Sequence, residues 1–404
     1  MMLPLLTGRR ILLGISGSIA AYKAPELIRR LIKAGAEVRT VLTPAASRFV
    51  TPLVLETLTR APVLTEERES WSSDVNHIGY ARWADLVIVA PATVNTLAKA
   101  AMGLGDNLLL QVLLATRAPL LFAPAANTAM LEHPSTLLHR ATLISRGVTI
   151  VEPAYGQLAC GEEGSGALAE LDEIVWQAAR ILSQPVLAGR RVVISGGGTA
   201  EAIDGVRLLT NRSSGKMAKA LAQAAWLAGG EVMLVGRLDD AGLPRQVVVR
   251  YAESSQALMD ELAAALKWAK EGESKPILFM AAAVSDYLPA TRSTNKIKKE
   301  EMGSRWVLEL IQNSDLLMSL ERNGVVTVGF KAETDPLRAT EYAMRMLKTK
   351  KIDAVALNVI SDENPFGGDT NAMSWIDRHG IEKLPVASKF VVAQELIARA
   401  ARIV

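Results

Sequence analysis

Cysteine is nearly absent: Cys160 is the one thiol in 404 residues, and histidine occurs only four times. A lone cysteine excludes an intrachain disulfide and suits a reducing compartment. One cysteine and scattered histidines cannot assemble a zinc or iron–sulfur ligand set. Long apolar runs are also missing. None approaches the roughly 18 residues of a membrane span, and no charged-then-apolar leader precedes the first expected strand. The net charge of +3 is small and spread along the chain. It forms no concentrated basic face of the kind that neutralises nucleic-acid phosphates. These absences lead us to expect a cytoplasmic globular protein with no nucleic-acid or membrane partner.

Half of the residues are hydrophobic and 22% are charged, as in ordinary soluble α/β proteins. The length exceeds what one core usually serves, so two domains are expected. The internal pattern agrees. Gly189-Arg190-Arg191-Val192-Val193-Ile194-Ser195-Gly196 repeats the plan of Gly8-Arg9-Arg10-Ile11-Leu12-Leu13-Gly14-Ile15. In each, a short apolar run meets small residues and then a polar turn, as a buried parallel strand does when it opens a doubly wound sheet. Gln184-Pro185 and Ala188-Gly189 mark the expected linker, giving domains over 1–187 and 188–404.

In the first domain, strands are expected at Ile11–Ile15, Glu37–Leu42, Leu86–Ala90, Leu120–Ala123 and Val148–Val151. Helices are expected at Ala20–Ala34, where Leu27, Ile28, Leu31 and Ile32 keep helical spacing, and at Thr136–Arg146 and Glu170–Ser183. The strands end in polar or proline-containing turns, and in an open parallel sheet those turns share one ligand-binding rim. Tyr155–Gly166 reads as a glycine-rich loop. The second domain alternates likewise: helices over Ser213–Ala228, Ser254–Lys270 and Pro336–Lys348, with strands at Glu231–Val235, Ile277–Ala281, Val325–Phe330, Asp353–Asn358 and Ala372–Ile376.

Several stretches carry chemistry, each with a plainer reading beside it. Gly14-Ile15-Ser16-Gly17-Ser18-Ile19-Ala20 lacks the spacing of a dinucleotide fingerprint. It is either a tight turn or a small-residue loop presenting a helix N-terminus to a phosphate. Glu37 follows Gly17 by 20 residues, which keeps a dehydrogenase as a formal rival. His77 lies in a polar loop ahead of a strand, and is either a solvated histidine or a proton-handling group at the rim. Cys160 is flanked by glycines and carboxylates, which suits a lid more than a core. Asn211-Arg212-Ser213-Ser214-Gly215-Lys216 is not a Walker loop, yet it offers hydroxyls, an amide and cations at a helix start. Lys296-Ile297-Lys298-Lys299 is either a solvated face or a mobile cationic loop able to close over a triphosphate.

Taken in order, these motifs resemble the bacterial bifunctional family that joins phosphopantothenoylcysteine decarboxylase to phosphopantothenate–cysteine ligase in coenzyme A biosynthesis. The most specific matches are Gly17–Lys23, His77-Ile78, Pro91–Thr96, Ala159-Cys160-Gly161, Thr210–Met217, Ala281–Tyr287 and Lys296–Lys299. The resemblance implies two doubly wound Rossmann-like parallel-sheet domains, a flavodoxin-like flavin domain followed by a ligase domain. FMN would be held by Gly17, Ser18, Ile19 and Thr43, with Pro91, Ala92, Thr93, Asn95 and Thr96 along the flavin. Cys160 matches the family's proton donor and His77 its active-site histidine. Asn127 matches the residue that grips the substrate carboxylate, with Met130 beside it. In the second half, CTP would activate 4′-phosphopantothenate as an acyl cytidylate, from which the amine of L-cysteine displaces CMP. Asn211 would stabilise that species, with Arg207 and Ser213 adjacent. Met280, Ala281, Ala282, Asp286, Lys296, Asn313, Ser314, Asp315, Leu316, Phe330 and Lys350 would hold the nucleotide, Lys296 with a catalytic part. Mg2+ would neutralise the triphosphate, its protein ligands unassigned. Trimers of the flavin domain assembled into a dodecamer are also implied.

The chain departs from the family pattern at Ala126 and Leu131 (a methionine and an aromatic elsewhere), at Ala167-Leu168 (Arg-Met), at Ala202 and Gly205 (prolines), and at Met346 (lysine). Two rivals remain. One is a related flavin-dependent cysteine decarboxylase or prenyl-transfer flavoprotein with a degenerate second half. The other is a nicotinamide dehydrogenase or non-catalytic nucleotide-binding protein.

Overall fold

A computed structural model describes residues 3–159, 161–361, 364–365 and 367–403. The chain forms two compact units that divide between Ser183 and Gln184.

The first unit is built on a six-stranded parallel sheet: β1 (Arg10–Ile15), β2 (Glu37–Leu42), β3 (Val63–Leu64), β4 (Leu86–Ala92), β5 (Leu120–Pro124) and β6 (Thr149–Ile150), in the order β3-β2-β1-β4-β5-β6. That is the two-mononucleotide order; a flavodoxin sheet runs 2-1-3-4-5. Helices cover both faces: α1 (Ala24–Lys33), α2 (Pro52–Thr59), α3 (His77–Trp83), α4 (Val94–Met102), α5 (Leu108–Ala115), α6 (Thr128–Glu132), α7 (Pro134–Ser145) and α8 (Leu171–Leu182). Sheets buried on both sides need near-continuous apolar strands, and every residue of β4 is buried. One face packs Leu12, Val89, Leu97, Leu109 and Phe122 into a common core.

Three details differ from the sequence expectation. Tyr155–Gly166 is mostly an antiparallel hairpin, β7 (Ala154–Gln157) with β8 (Glu163–Ala167), because its glycines permit close strand pairing as readily as a loop. His77 opens a helix, its N-terminus capped by the Asn76 side chain accepting from the Gly79 N–H at 2.8 Å. Ile32 is 39% exposed while Leu27, Ile28 and Leu31 are fully buried, so the apolar stripe of α1 is narrower than its spacing suggested.

The second unit repeats the plan. Its strands are β9 (Arg191–Gly196), β10 (Ala200–Ala202), β11 (Leu208–Thr210), β12 (Glu231–Gly236), β13 (Val248–Tyr251), β14 (Ile277–Met280), β15 (Tyr287–Pro289), β16 (Leu310–Gln312), β17 (Val326–Glu333), β18 (Ala354–Val359), β19 (Thr370–Asn371), β20 (Met373–Asp377), β21 (Gly380–Lys383) and β22 (Ala387–Ser388). The main sheet runs β13-β12-β9-β14-β17-β18-β20-β21, parallel as far as β18 and antiparallel beyond it. Its parallel part therefore has the same order as the first sheet, and two further strands extend one edge. The helices are α9 (Lys216–Leu227), α10 (Ser255–Lys270), α11 (Lys299–Met302), α12 (Leu316–Ser319), α13 (Ala339–Thr349) and α14 (Lys389–Ala401). Among the described residues no helix is long and apolar enough to cross a membrane.

Phe122 has no exposed surface, so Phe122→Ala should destabilise the first unit by about 3–5 kcal/mol, transfer and cavity costs together. Calorimetry would show one melting component moving down while the other stays in place.

Candidate active sites

In an open parallel sheet the ligand crevice lies outside the strand carboxyl ends, where the strand order reverses. That point falls between β1 and β4 in one unit and between β9 and β14 in the other. A buried serine bridges each. Ser16 donates to the Pro91 carbonyl at 2.7 Å and accepts from the Thr93 N–H at 3.0 Å. Ser195 accepts from the Ala282 N–H at 3.1 Å. Ser16, just past β1, is thus tied to the end of β4 and the turn beyond it, and Ser195, near the end of β9, to the segment after β14, which sets the floor of each crevice.

At the first rim, the turns after β1, β2 and β4 converge. A Cβ on Gly17 would lie 2.4 Å from the Ala45 Cβ and 2.9 Å from its carbonyl carbon, so only glycine lets the first two turns touch. Ser18 caps the following short helix by accepting from the Ala20 N–H, and Ile19 projects into solvent. Thr43 is buried against the Ile15 carbonyl. Pro91 and Ala92 are buried at the end of β4. Thr93 caps α4 through the Thr96 N–H, and Asn95 is exposed. These nine residues thus supply hydroxyls, an exposed amide and a close backbone turn at one sheet edge.

Asn127 caps α6 by accepting from the Ala129 N–H at 2.9 Å, while its amide nitrogen donates to the Glu162 carboxylate at 3.0 Å. Glu162 follows from the hairpin, which crosses the Asn127 turn at very short range. A Cβ on Gly166 would meet the Ala126 oxygen at 2.2 Å, and one on Gly164 would meet the Thr128 hydroxyl, also at 2.2 Å. Met130 is half exposed on α6. His77 Nδ1 lies 2.6 Å from Glu69 Oε1. Cys160 lies outside the described residues; its neighbours Leu158 and Glu162 are joined by a backbone hydrogen bond of 2.8 Å.

The second rim opens into a cleft of about 840 Å³. Asn211, Ser213, Met280, Ala281, Ala282, Asp286, Asn313, Ser314, Asp315, Leu316, Phe330 and Lys350 all line it. Asn211 donates to the Val284 carbonyl at 2.9 Å, and Asn313 to the Ser285 carbonyl at 2.8 Å. Lys350 pairs with Asp315 at 2.9 Å. Partial burial pushes the Asp315 carboxyl up, but Lys350 and the Met318 and Leu317 N–H groups outweigh it and hold the group below the usual carboxylate range. The cleft also presents Lys216, one of the helix-start cations noted in the sequence, and three cations that sequence reasoning did not assign: Lys331, Arg345 and Lys389. Lys331 follows Phe330 at the end of a strand, so the rim rule could have found it. Lys389 opens the last helix, with no local signal to mark it. Its ammonium donates to the Gly368 and Thr370 carbonyls and to Asn371 Oδ1. Burial, then the nearby Lys216, holds it below the usual lysine range.

Two residues lie elsewhere. Lys296 and Arg207 are not in the cleft lining. Arg207 is held by the buried Asp204, 2.6 Å away, and donates to the Ile297 carbonyl at 3.2 Å. Asp204 also accepts from the N–H groups of Val206, Arg207 and Ile297. This knot anchors the Lys296–Lys299 loop to the turn before β11. Burial opposes the Asp204 charge, yet the three N–H groups and the Arg207 cation bring its pKa down to about 2.

Comparison with known proteins agrees with this two-part geometry. The flavoprotein family model matches residues 4–183, and that of the DNA/pantothenate metabolism flavoprotein C-terminal domain matches 187–403. The coenzyme A biosynthesis bifunctional protein CoaBC of Vibrio cholerae is 39% identical over 397 residues, covering 97% of this chain and 98% of its own. That of Bacillus subtilis is 37% identical over 401 residues, covering 97% of each. This chain belongs to that bifunctional family. It is an enzyme with a flavoprotein decarboxylase unit and a ligase unit. A solved C-terminal domain of CoaBC is 29% identical, covers 54% of this chain and 97% of its own, and has a TM-score of 0.44.

Leu131 and Leu168 are buried in the first unit. Met346 lines the cleft and packs against the second unit's core. Five cations stand in the cleft wall: Lys216, Lys331, Arg345, Lys350 and Lys389.

Replacing Asp204 by asparagine removes the charge-assisted bond to Arg207 and weakens the anchor of this loop. Trypsin should cut D204N within Lys296–Lys299 about tenfold faster than wild type. A carboxyl with a depressed pKa stabilises above its ordinary value near 4 and loses that contribution as pH falls through the folded value. Hydrogen exchange at the Ile297 amide in wild type should therefore accelerate beyond its intrinsic pH dependence between about pH 4 and 2, and D204N should show no such step.

Proposed function

We propose that the second unit joins 4′-phosphopantothenate to L-cysteine at the expense of CTP, and that the first unit then uses FMN to decarboxylate the product to 4′-phosphopantetheine. The observation that carries this reading is the pair of differently dressed switch points. One is a compact turn cluster with hydroxyls and little charge; the other is a large cleft walled by cations.

At the first rim the residues fit an FMN. Gly17 brings the turns after β1 and β2 together, Ser18 and the start of the following helices favour an anion, and Pro91–Thr96 provide a wall with the exposed Asn95 amide. Bound FMN would supply the two-electron oxidation of the substrate thiol that lets CO2 depart. Asn127 would hold the substrate carboxylate. Its amide already donates to the carboxylate of Glu162, the same acceptor chemistry that a substrate would present. Cys160 is the proposed proton donor to the product and His77 the histidine that handles the substrate's thiol proton.

In the cleft, a carboxylate oxygen of 4′-phosphopantothenate attacks the α-phosphorus of CTP and pyrophosphate leaves. The cysteine amine then attacks the acyl carbon and CMP leaves. The five cations stabilise charge on the phosphates through both steps. Asn211 would stabilise the acyl cytidylate, with Ser213 beside it. Lys296 would act by closing its anchored loop, and Arg207 by holding that loop in place. Among the described residues no group of three metal-binding side chains is present. Mg2+ would therefore ride on the phosphates with one or two carboxylates, its usual habit, and Asp286 is exposed for that role. The lone cysteine supports a cytoplasmic setting. Association of the flavin units into a homo-oligomer built of trimers is part of the same proposal.

A single incubation of purified protein with 4′-phosphopantothenate, cysteine, CTP and Mg2+, read by mass spectrometry, tests this reading. The expected product is 4′-phosphopantetheine, with phosphopantothenoylcysteine seen only transiently. Absence of both products, with ATP supplied as well as CTP, would overturn it.

A further inference from the structure

His77 has a partner that belongs to no motif in the chain. Glu69 lies eight residues earlier, in the loop ahead of α3, and its Oε1 is 2.6 Å from His77 Nδ1. The same oxygen accepts from the His77 backbone N–H at 3.4 Å. Both side chains are largely buried, 19% and 22% exposed. Trp71 stands edge-on to the imidazole, with ring centroids 5.4 Å apart and planes at 87°. The ring is thus fixed on two sides by one short loop. Among the described residues His77 Nε2 has no hydrogen-bond partner.

From this geometry we infer that Glu69 is a positioning residue for the decarboxylase half: it sets the tautomer of His77 and offsets the charge the ring acquires. The inference rests on the proposed role of His77 at the flavin site. An ionised carboxylate only accepts hydrogen bonds, so the nitrogen facing it carries the proton. In the neutral ring Nδ1 then holds the hydrogen and Nε2 an open lone pair. Nε2 can accept a proton but has none to give. The step it supports is transfer of the substrate's thiol proton: the S–H bond breaks, an Nε2–H bond forms, and the thiolate keeps the electron pair. The imidazolium produced is neutralised by Glu69 at hydrogen-bond distance. This divides the proton work, with His77 removing a proton from sulfur and Cys160 returning one to the product.

The Asn76 cap contributes a constraint of its own. By accepting from the Gly79 N–H, it fixes the start of α3 and therefore the direction in which the His77 Cβ leaves the backbone. Carboxylate, aromatic edge and helix cap together leave the ring little freedom. An amide at position 69 would keep the shape but remove the charge. It could also turn its N–H2 toward Nδ1, which favours the opposite tautomer.

The test compares wild type with Glu69→Gln and Glu69→Asp in the full-length flavin-loaded protein, supplied directly with phosphopantothenoylcysteine. E69Q should lower kcat for decarboxylation about 10- to 100-fold, on the scale seen for partners that orient metal-bound histidines, with KM and flavin content little changed. E69D should recover part of the loss. In protein labelled with 15N-histidine, which gives only four imidazoles to assign, wild-type His77 should show a protonated Nδ1 and an unprotonated Nε2. E69Q should lose that preference. Wild-type kcat together with an unchanged imidazole spectrum in E69Q would overturn the inference. Wild-type enzyme inert toward phosphopantothenoylcysteine would instead overturn the functional reading, and the spectra would still decide whether Glu69 sets the tautomer.

Discussion

A serine hydroxyl at the end of the first strand holds each of the two sites together. Ser16 and Ser195 are buried where water cannot satisfy them, and each accepts an N–H from the segment that leaves the strand across the switch point, β4 or β14. Parallel sheets of this order diverge at that point, leaving a crevice whose loops would otherwise be free to separate. A buried hydroxyl left without a partner costs about 1–3 kcal/mol, so the bond closes the crevice floor as firmly as it fixes the serine. The rim segments around Thr93 in one unit and Ala282 in the other are tied to the floor by that closure.

From this shared floor the two units diverge in what they mount above it. The first keeps its turns short and uses a glycine-rich hairpin, crossing so close to Asn127 that Gly164 and Gly166 have no room for a side chain. Its polar groups are mostly uncharged, which suits redox chemistry carried by a bound flavin and a few proton transfers. The second unit enlarges its crevice with long connections and extends the sheet by two antiparallel strands. Cations then come in from distant segments, as Lys389 does from the last helix. That arrangement suits a polyanion, whose charge must be met from several sides at once.

The sheet strands and the two-unit plan were legible because they obey local rules, although the units divide at Ser183 and Gln184 rather than at the expected 187. Apolar runs ending in polar turns marked the strands, and Gly14–Ala20 marked the first crevice. What escaped had non-local or ambiguous causes. The hairpin was hidden because Gly156, Gly164 and Gly166 serve strand and loop equally well. The helix opened by His77 was hidden because its start depends on a side-chain cap. Glu69 carried no signal at all, since a carboxylate eight residues from a histidine meets it only once the loop has folded. Arg207 shows the reverse case. It belongs to a recognised segment, but the structure commits its guanidinium to Asp204 and the Ile297 carbonyl.

The central claim is that one chain runs two separable chemistries, each confined to its own switch point. The most direct test is Gly17→Val, whose Cβ would stand 2.4 Å from the Ala45 Cβ at the rim of the first unit only. Following both products from 4′-phosphopantothenate, cysteine and CTP, the account predicts that the variant loses its flavin and accumulates phosphopantothenoylcysteine at the wild-type ligase rate. Undiminished 4′-phosphopantetheine, or loss of the ligase step together with the decarboxylation, would contradict it.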